Sequence, residues 1–167
     1  WYSIKPQSVF PELTDPVTID GYTQPGAVLN TNEVGAGLNS ILRIEIDCSE
    51  SVGAGPFEFF NVAFWLIAGD NTIRGLALNR LDGTYFFMDT TDNNRLEGIY
   101  LGVDISGTIA PGPQSVGIDI RTSAGNRVGG TTSSARNLIA NTLLFTRGGV
   151  GGNLVKGNLI GTDRSGM

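Results

Sequence analysis

The residues of this chain best suited to chemistry are two aspartates and one arginine at the ends of two short apolar segments. Asp89 follows the segment YFFM at residues 85–88, and Asp119 and Arg121 lie in the segment GIDIR at residues 117–121. Two carboxyl groups can cleave a glycosidic bond, at about 5–5.5 Å separation with retention or about 6.5–9.5 Å with inversion. Asp89 and Asp119 are therefore candidate catalytic residues, Arg121 a candidate for stabilising charge, and Asp92 a spare carboxylate.

Three aromatic residues accompany these charges. Trp65, Tyr85 and Phe87 alternate with apolar neighbours, so strand geometry predicts that they point outward beside the aspartates. Flat aromatic faces beside polar groups suit the rings and hydroxyls of a polysaccharide, which makes these three residues candidate ligand-binding positions. The structural alternative is a simple Asp89–Arg121 ion pair, worth about 0.2–1 kcal/mol, with the aromatics covered by residues 28–39, another subunit or further chain.

The composition excludes several other chemistries. The 167 residues contain no His and one Cys, so imidazole catalysis is absent and a structural zinc site has too few ligands. The net charge of −5 argues against nucleic-acid binding. The apolar runs are too short to predict a membrane span, and no metal or cofactor is predicted.

A short motif, Asn-x-[Ile/Val/Leu]-x-Gly, recurs along the chain. It begins at Asn71, Asn94, Asn126 and Asn153, with spacings of 23, 32 and 27 residues. The segments at residues 94–107 and 153–166 match at six of 14 positions, so a larger repeat of 59 residues spans two of these units. An alternating apolar segment precedes each motif, which predicts a repeating unit of short strands and turns.

Such units bury an apolar face only by stacking, which predicts a parallel β-helix rather than a helical bundle. An antiparallel sandwich is the alternative, but it does not explain the recurring Asn. We expect one domain, with irregular rungs and a cap at residues 1–60, including Phe57, Phe59 and Phe60, and regular rungs at 61–167. The last repeat is truncated, which suggests self-association end to end or through the strand edges.

Strand alternation also predicts which side chains face the interior. The expected inward pairs are Phe64/Leu66, Phe86/Met88, Ile118/Ile120 and Leu143/Phe145. Stacking then gives two outward columns, Trp65–Phe87–Asp119–Leu144 beside Ile67–Asp89–Arg121–Thr146. A slip of one residue would exchange the two faces.

The motif residues have structural interpretations. The four Asn residues are expected to form a hydrogen-bonded column at one corner. Gly75, Gly98, Gly130 and Gly157 are expected at positive φ or in close packing. Asp104 and Asp163, in matching Gly-x-Asp-x-Ser-Gly turns, are expected to cap backbone N–H groups, with calcium binding as the alternative.

Several segments resemble the right-handed parallel β-helix repeat domains of large secreted or surface proteins of bacteria. They are VTIDGYTQPGA (residues 17–27), NTIRGL (71–76), GGTTSSARNLI (129–139) and GTDRSG (161–166). The resemblance implies the fold and an extracellular or cell-surface location. The catalytic motifs of β-helix enzymes such as pectate lyases and polygalacturonases are not matched.

Two functions follow as hypotheses. The first is a structural or adhesive extracellular module that binds polysaccharide through the outward aromatic and acidic face. The alternative is a polysaccharide-acting enzyme, a glycoside hydrolase or carbohydrate esterase, that uses Asp and Arg without His.

Overall fold

The chain folds into short β-strands joined by turns. A computed structural model describes residues 1–51, 61–140, 142–148 and 151–167, so Phe57, Phe59 and Phe60 lie outside the described residues. The strands are β1 (Tyr2–Ile4), β2 (Thr18–Asp20), β3 (Ile44–Asp47), β4 (Asn61–Leu66), β5 (Thr72–Arg74), β6 (Leu76–Asn79), β7 (Gly83–Asp89), β8 (Arg95–Glu97), β9 (Tyr100–Leu101), β10 (Ser115–Arg121), β11 (Arg127–Gly129), β12 (Leu138–Ile139), β13 (Thr142–Arg147), β14 (Leu154–Lys156) and β15 (Leu159–Ile160). Single-turn 3₁₀ helices occur at Gly21–Thr23, Cys48–Glu50 and Ser133–Ala135.

The strands form three sheets. Sheet A has the order β1-β3-β6-β9-β12-β15, sheet B the order β13-β10-β7-β4, and sheet C the order β14-β11-β8-β5-β2. From β2 onward the chain visits sheets C, A and B in turn, and each strand pairs with its equivalent one rung away. The pairs between these strands are parallel, which confirms the expected parallel pairing over an antiparallel sandwich. This all-β arrangement is consistent with a β-solenoid.

The main core lies between the three sheets. Phe64, Phe86 and Ile118 occupy one column of sheet B and are buried, as are Leu66, Met88 and Ile120 in the next inward column. The rings of Phe64 and Phe86 stack with centroids 5.3 Å apart. The inward assignment of these six residues is therefore confirmed.

The outward assignment of Leu144 is wrong. Val116 pairs with Leu143 but Ile118 pairs with Leu144, so Gly117 forms a bulge against β13. Leu144 packs against the core, and Phe145 pairs with Asp119. A bulge adds one residue to one strand of a pair, and it displaces every later residue of β13 by one position.

A second apolar cluster covers the outer face of sheet A. Leu38 and Leu42 pack there with Tyr100, Leu138 and other apolar residues of that sheet. The Tyr100 hydroxyl lies 2.9 Å from the Ser40 hydroxyl. The segment expected to cover the aromatics of sheet B thus contributes Leu38 to the cover of sheet A.

The predicted Asn column is confirmed. Along the corner before sheet C, each Nδ2 donates to the Oδ1 of the next Asn, at 2.8 Å from Asn71 to Asn94, 2.9 Å from Asn94 to Asn126 and 3.2 Å from Asn126 to Asn153. Each Oδ1 also accepts the backbone N–H of the preceding Asn. The column thus satisfies backbone groups that the corners bury.

A second, shorter column was not predicted. Asn137 Oδ1 accepts from the Ile99 N–H at 2.8 Å, and Asn158 Oδ1 accepts from the Asn137 N–H at 3.1 Å. Both Asn residues lie immediately before sheet A, so the second corner uses the same device. The recurring Asn-Leu-Ile triplets at residues 137–139 and 158–160 were the available signal.

The turn residues behave largely as expected. Asp104 accepts from the Thr108 and Ile109 N–H groups, and Asp163 accepts from the Ser165 N–H at 2.7 Å, which confirms their capping role. Gly75, Gly98 and Gly157 have positive φ. At the third motif Gly129 has the positive φ, and Gly130 is closely packed, since a Cβ there would lie 2.9 Å from Ala135 Cβ.

Candidate functional site

The outward face of sheet B brings together most of the predicted site. Trp65 pairs with Phe87, and Phe87 with Asp119, in one column across β4, β7 and β10. Asp89 pairs with Arg121 in the next column. Because of the bulge at Gly117, Arg147 rather than Thr146 continues this second column on β13.

The two aromatic residues of the first column form a contact pair. The rings of Trp65 and Phe87 meet edge to face, with centroids 6.2 Å apart and planes at 71°. The Arg121 guanidinium carbon lies 4.8 Å from the centre of the Phe87 ring, which is a cation–π arrangement. Phe87 is only 3% exposed, whereas Trp65 is half-buried, so Trp65 is the aromatic of this pair with more surface for a ligand.

Tyr85 does not belong to this face, and its prediction as an outward residue is wrong. It is 1% exposed and packs in the main core with Phe86 and Leu81. Its hydroxyl accepts from the Leu81 N–H at 3.2 Å, so the side chain turns back toward the corner that begins β7. Burial is the main cause that raises the pKa of Tyr85 to about 12. Alternation predicts that consecutive residues of a strand face opposite sides, but Tyr85 and Phe86 both contact the main core.

Asp119 is the centre of an ion cluster that we define as Asp119, Arg121 and Arg147. Its Oδ2 accepts from Arg121 Nη2 at 2.7 Å, from Arg121 Nε at 3.0 Å and from Arg147 Nη2 at 2.6 Å. The Asp119 side chain is 3% exposed. Burial raises the pKa of Asp119, but the hydrogen bonds and charges of the two arginines outweigh it, so the pKa lies below its usual range.

The other two aspartates have different surroundings. Asp89 is half-buried, and its charge contributes to raising the pKa of Arg121, after the larger effect of the hydrogen bond from Arg121 to Asp119. Asp92 accepts from the Ala124 N–H at 2.7 Å across the corner between two rungs. The spare carboxylate is thus engaged in joining neighbouring rungs.

The cluster limits the chemistry available at this face. A general acid must hold a proton near the operating pH, and a carboxyl with a lowered pKa between two guanidinium groups stays ionised. A nucleophilic carboxylate would have to leave both arginines to reach a substrate. The geometry therefore suits cohesion between β10 and β13 better than proton transfer.

The thiol of Cys48 is also enclosed. Cys48 is buried, and burial is the main cause that raises the pKa of its thiol to about 12.

Within the described ranges no three His, Cys, Asp or Glu side chains group in a way that could hold a metal ion. The same ranges contain no helix with the length and apolar character needed to cross a membrane.

Arg147 is the member of the ion cluster that was not predicted from the sequence. It lies at the end of an apolar segment, as Arg121 does, and the one-residue shift at Gly117 hides their correspondence.

Searches with the chain against protein-family models, curated proteins and solved structures returned no match.

Proposed function

We propose that the chain is a non-catalytic module of an extracellular or cell-surface protein, wound as a right-handed parallel β-helix. It serves as a rigid spacer or adhesive surface. The three parallel sheets, their fixed order of visits and the two Asn columns support the β-helix. The extracellular location rests on the resemblance of the repeat segments to secreted and surface β-helix domains.

The observation that carries the non-catalytic role is the position of Asp119. Its carboxylate is almost fully buried and accepts hydrogen bonds from both Arg121 and Arg147. Removing one member of a buried ion pair leaves the charge of the other member unpaired, which is strongly unfavourable. Because Asp119 lies on β10 and Arg147 on β13, their hydrogen bond ties the two strands together. The enzyme alternative requires the same carboxylate to be available to substrate.

An adhesive role would use the face of sheet B around Trp65. Trp65 is half-buried and lies against Phe87, which fixes the orientation of its ring. A rigid aromatic side chain loses little conformational entropy when a sugar stacks on it. We propose that any polysaccharide contact at this face depends on Trp65 more than on Phe87, and does not involve Tyr85.

A panel of soluble polysaccharides tests both parts of the proposal. Reducing-sugar and ester release are measured with the wild-type chain, and binding is measured by affinity electrophoresis. Trp65→Ala is compared with Trp1→Ala, since Trp1 is the other tryptophan of the chain and is 68% exposed. We expect no turnover, and at least tenfold weaker binding for Trp65→Ala only.

Turnover that disappears in Asp119→Asn while the variant stays folded would overturn the non-catalytic role. Equal loss of binding in both tryptophan variants would remove the adhesive site from sheet B. Absence of both binding and turnover would leave the spacer function alone.

A further inference from the structure

Two arginines lie side by side on the outward face of sheet C. Arg95 on β8 and Arg127 on β11 are register partners, and both are exposed. They line one surface groove of about 370 Å³ together with Asp70, Thr72, Asn93 and Gly125. Adjacent parallel strands lie about 4.8 Å apart, so the two side chains leave the backbone at neighbouring positions.

These two arginines differ from the rest. Seven of the nine arginines donate at least one side-chain hydrogen bond, to a backbone carbonyl or a carboxylate, and they are Arg43, Arg74, Arg80, Arg121, Arg136, Arg147 and Arg164. Within the described part of the chain, the Arg95 and Arg127 side chains make no hydrogen bond or ion pair. Like charges directly opposite each other on neighbouring strands are unfavourable.

Nearby carboxylates do not resolve this repulsion. Asp70 lines the same groove, and Glu97 shares a neighbouring groove with Arg127, yet neither forms an ion pair with these arginines in the described residues. In the adjacent column of sheet C, by contrast, Arg74 donates a hydrogen bond to the carboxylate of Asp20 at 2.6 Å. The groove thus keeps two guanidinium groups with donors available at its surface.

We infer that the Arg95–Arg127 pair binds an oxyanion group, a carboxylate, sulfate or phosphate carried by a larger molecule. Each guanidinium presents a planar fork of donors that matches two oxygens of such a group. Thr72 and Asn93 offer further polar contacts, and Asp70 can accept from hydroxyl groups of the carrier. The site is independent of Trp65 and of the ion cluster on sheet B.

The backbone beneath the pair is well fixed. The Arg95 N–H donates to Asn71 O at 2.8 Å and the Arg127 N–H donates to Asn94 O at 2.7 Å, directly beside the Asn column. Binding therefore needs little ordering of the main chain. The net charge of −5 repels anions at long range, so anion binding at this groove would depend on the local positive charge of Arg95 and Arg127.

Three polymers that share one backbone provide the test: dextran sulfate, carboxymethyl dextran and unmodified dextran. Binding is measured at about 0.15 M salt, which screens charges beyond about 8 Å. The variants are Arg95→Gln, Arg127→Gln, the double variant and Arg127→Lys. Lys5→Gln is the control, since it removes one positive charge from the edge of sheet A. Circular dichroism checks that each variant is folded.

We expect one or both charged dextrans to bind and unmodified dextran not to bind. Each single Gln variant should weaken binding about tenfold, the double variant should abolish it, and Arg127→Lys should fall between, because a lysine keeps the charge but loses the fork. Inorganic sulfate and phosphate should compete with the charged dextrans, because the proposed site binds the oxyanion group itself. Failure of both charged polymers to bind, or equal binding by the wild type and the double variant, would overturn the inference.

Discussion

Replacing Asn94 by Ala should destabilise the fold strongly, because Asn94 occupies an inner position of the Asn column. The side chain is fully buried, its Oδ1 accepts from the Asn71 N–H at 3.1 Å and from Asn71 Nδ2 at 2.8 Å, and its Nδ2 donates to Asn126 Oδ1 at 2.9 Å. The Ala variant leaves the buried Asn71 N–H without its acceptor.

The magnitude follows from these bonds. An unsatisfied buried donor costs about 1–3 kcal/mol, and each lost net hydrogen bond adds about 1 kcal/mol. Asn71 Nδ2 still donates to Ala68 O, and Asn126 Oδ1 still accepts from the Asn94 N–H, so these groups keep one partner. One unsatisfied donor and two further lost hydrogen bonds therefore predict a loss of about 3–5 kcal/mol in the free energy of unfolding.

Asn153→Ala is the matched control, because Asn153 has the same motif position at the half-buried end of the column. Water can replace its bonds, so we expect a loss of about 1 kcal/mol. Urea unfolding followed by circular dichroism measures both variants. Equal midpoints for the two variants, or an Asn94→Ala midpoint equal to that of the wild type, would refute the reasoning.

Two further predictions concern charge and backbone conformation. Because the folded pKa of Asp119 is lowered, its stabilisation is present above the unfolded value of about 3.9 and is lost as pH falls through the folded pKa. The stability difference between wild type and Asp119→Asn should thus be largest near neutral pH and shrink below about pH 4, and a difference independent of pH would contradict this. Gly75→Ala places a Cβ 2.8 Å from Tyr22 N at φ +71°, whereas Gly35→Ala at φ +93° meets nothing within 4 Å. Gly75→Ala should therefore cost about 1–3 kcal/mol more than Gly35→Ala by thermal unfolding, and equal costs would show that the corner can relax.

The repeat pattern predicted the parallel pairing and the Asn column because both depend on residue types that recur at equivalent positions. Asn94 and Asn126 are buried amides at one corner, and an Asn side chain supplies a separate carbonyl acceptor and NH₂ donor within a short reach. The inward placement of Phe86 and Ile118 followed from alternation with period two, which the middle of each strand obeys.

The errors arose where local geometry breaks that period. Gly117 introduces a bulge that shifts β13 by one residue, and a bulge has no distinctive signature in a Gly-rich chain. Tyr85 turns into the core at the start of β7, where its hydroxyl finds the Leu81 N–H. Arg147 was missed for the first reason, since its partnership with Asp119 depends on the shifted register.

A double-mutant cycle between Asp119 and Arg147 tests most directly whether the outward charges of sheet B hold the stack together. Asp119→Asn, Arg147→Gln and the double variant are compared with the wild type by urea unfolding near neutral pH. The Arg147 Nη2 to Asp119 Oδ2 distance is 2.6 Å and the carboxylate is buried, although Arg147 itself is 55% exposed. We predict a coupling free energy of about 1–2 kcal/mol. A coupling of zero within error would mean that Arg147 does not hold Asp119, which would contradict the role of the ion cluster as a tie between β10 and β13.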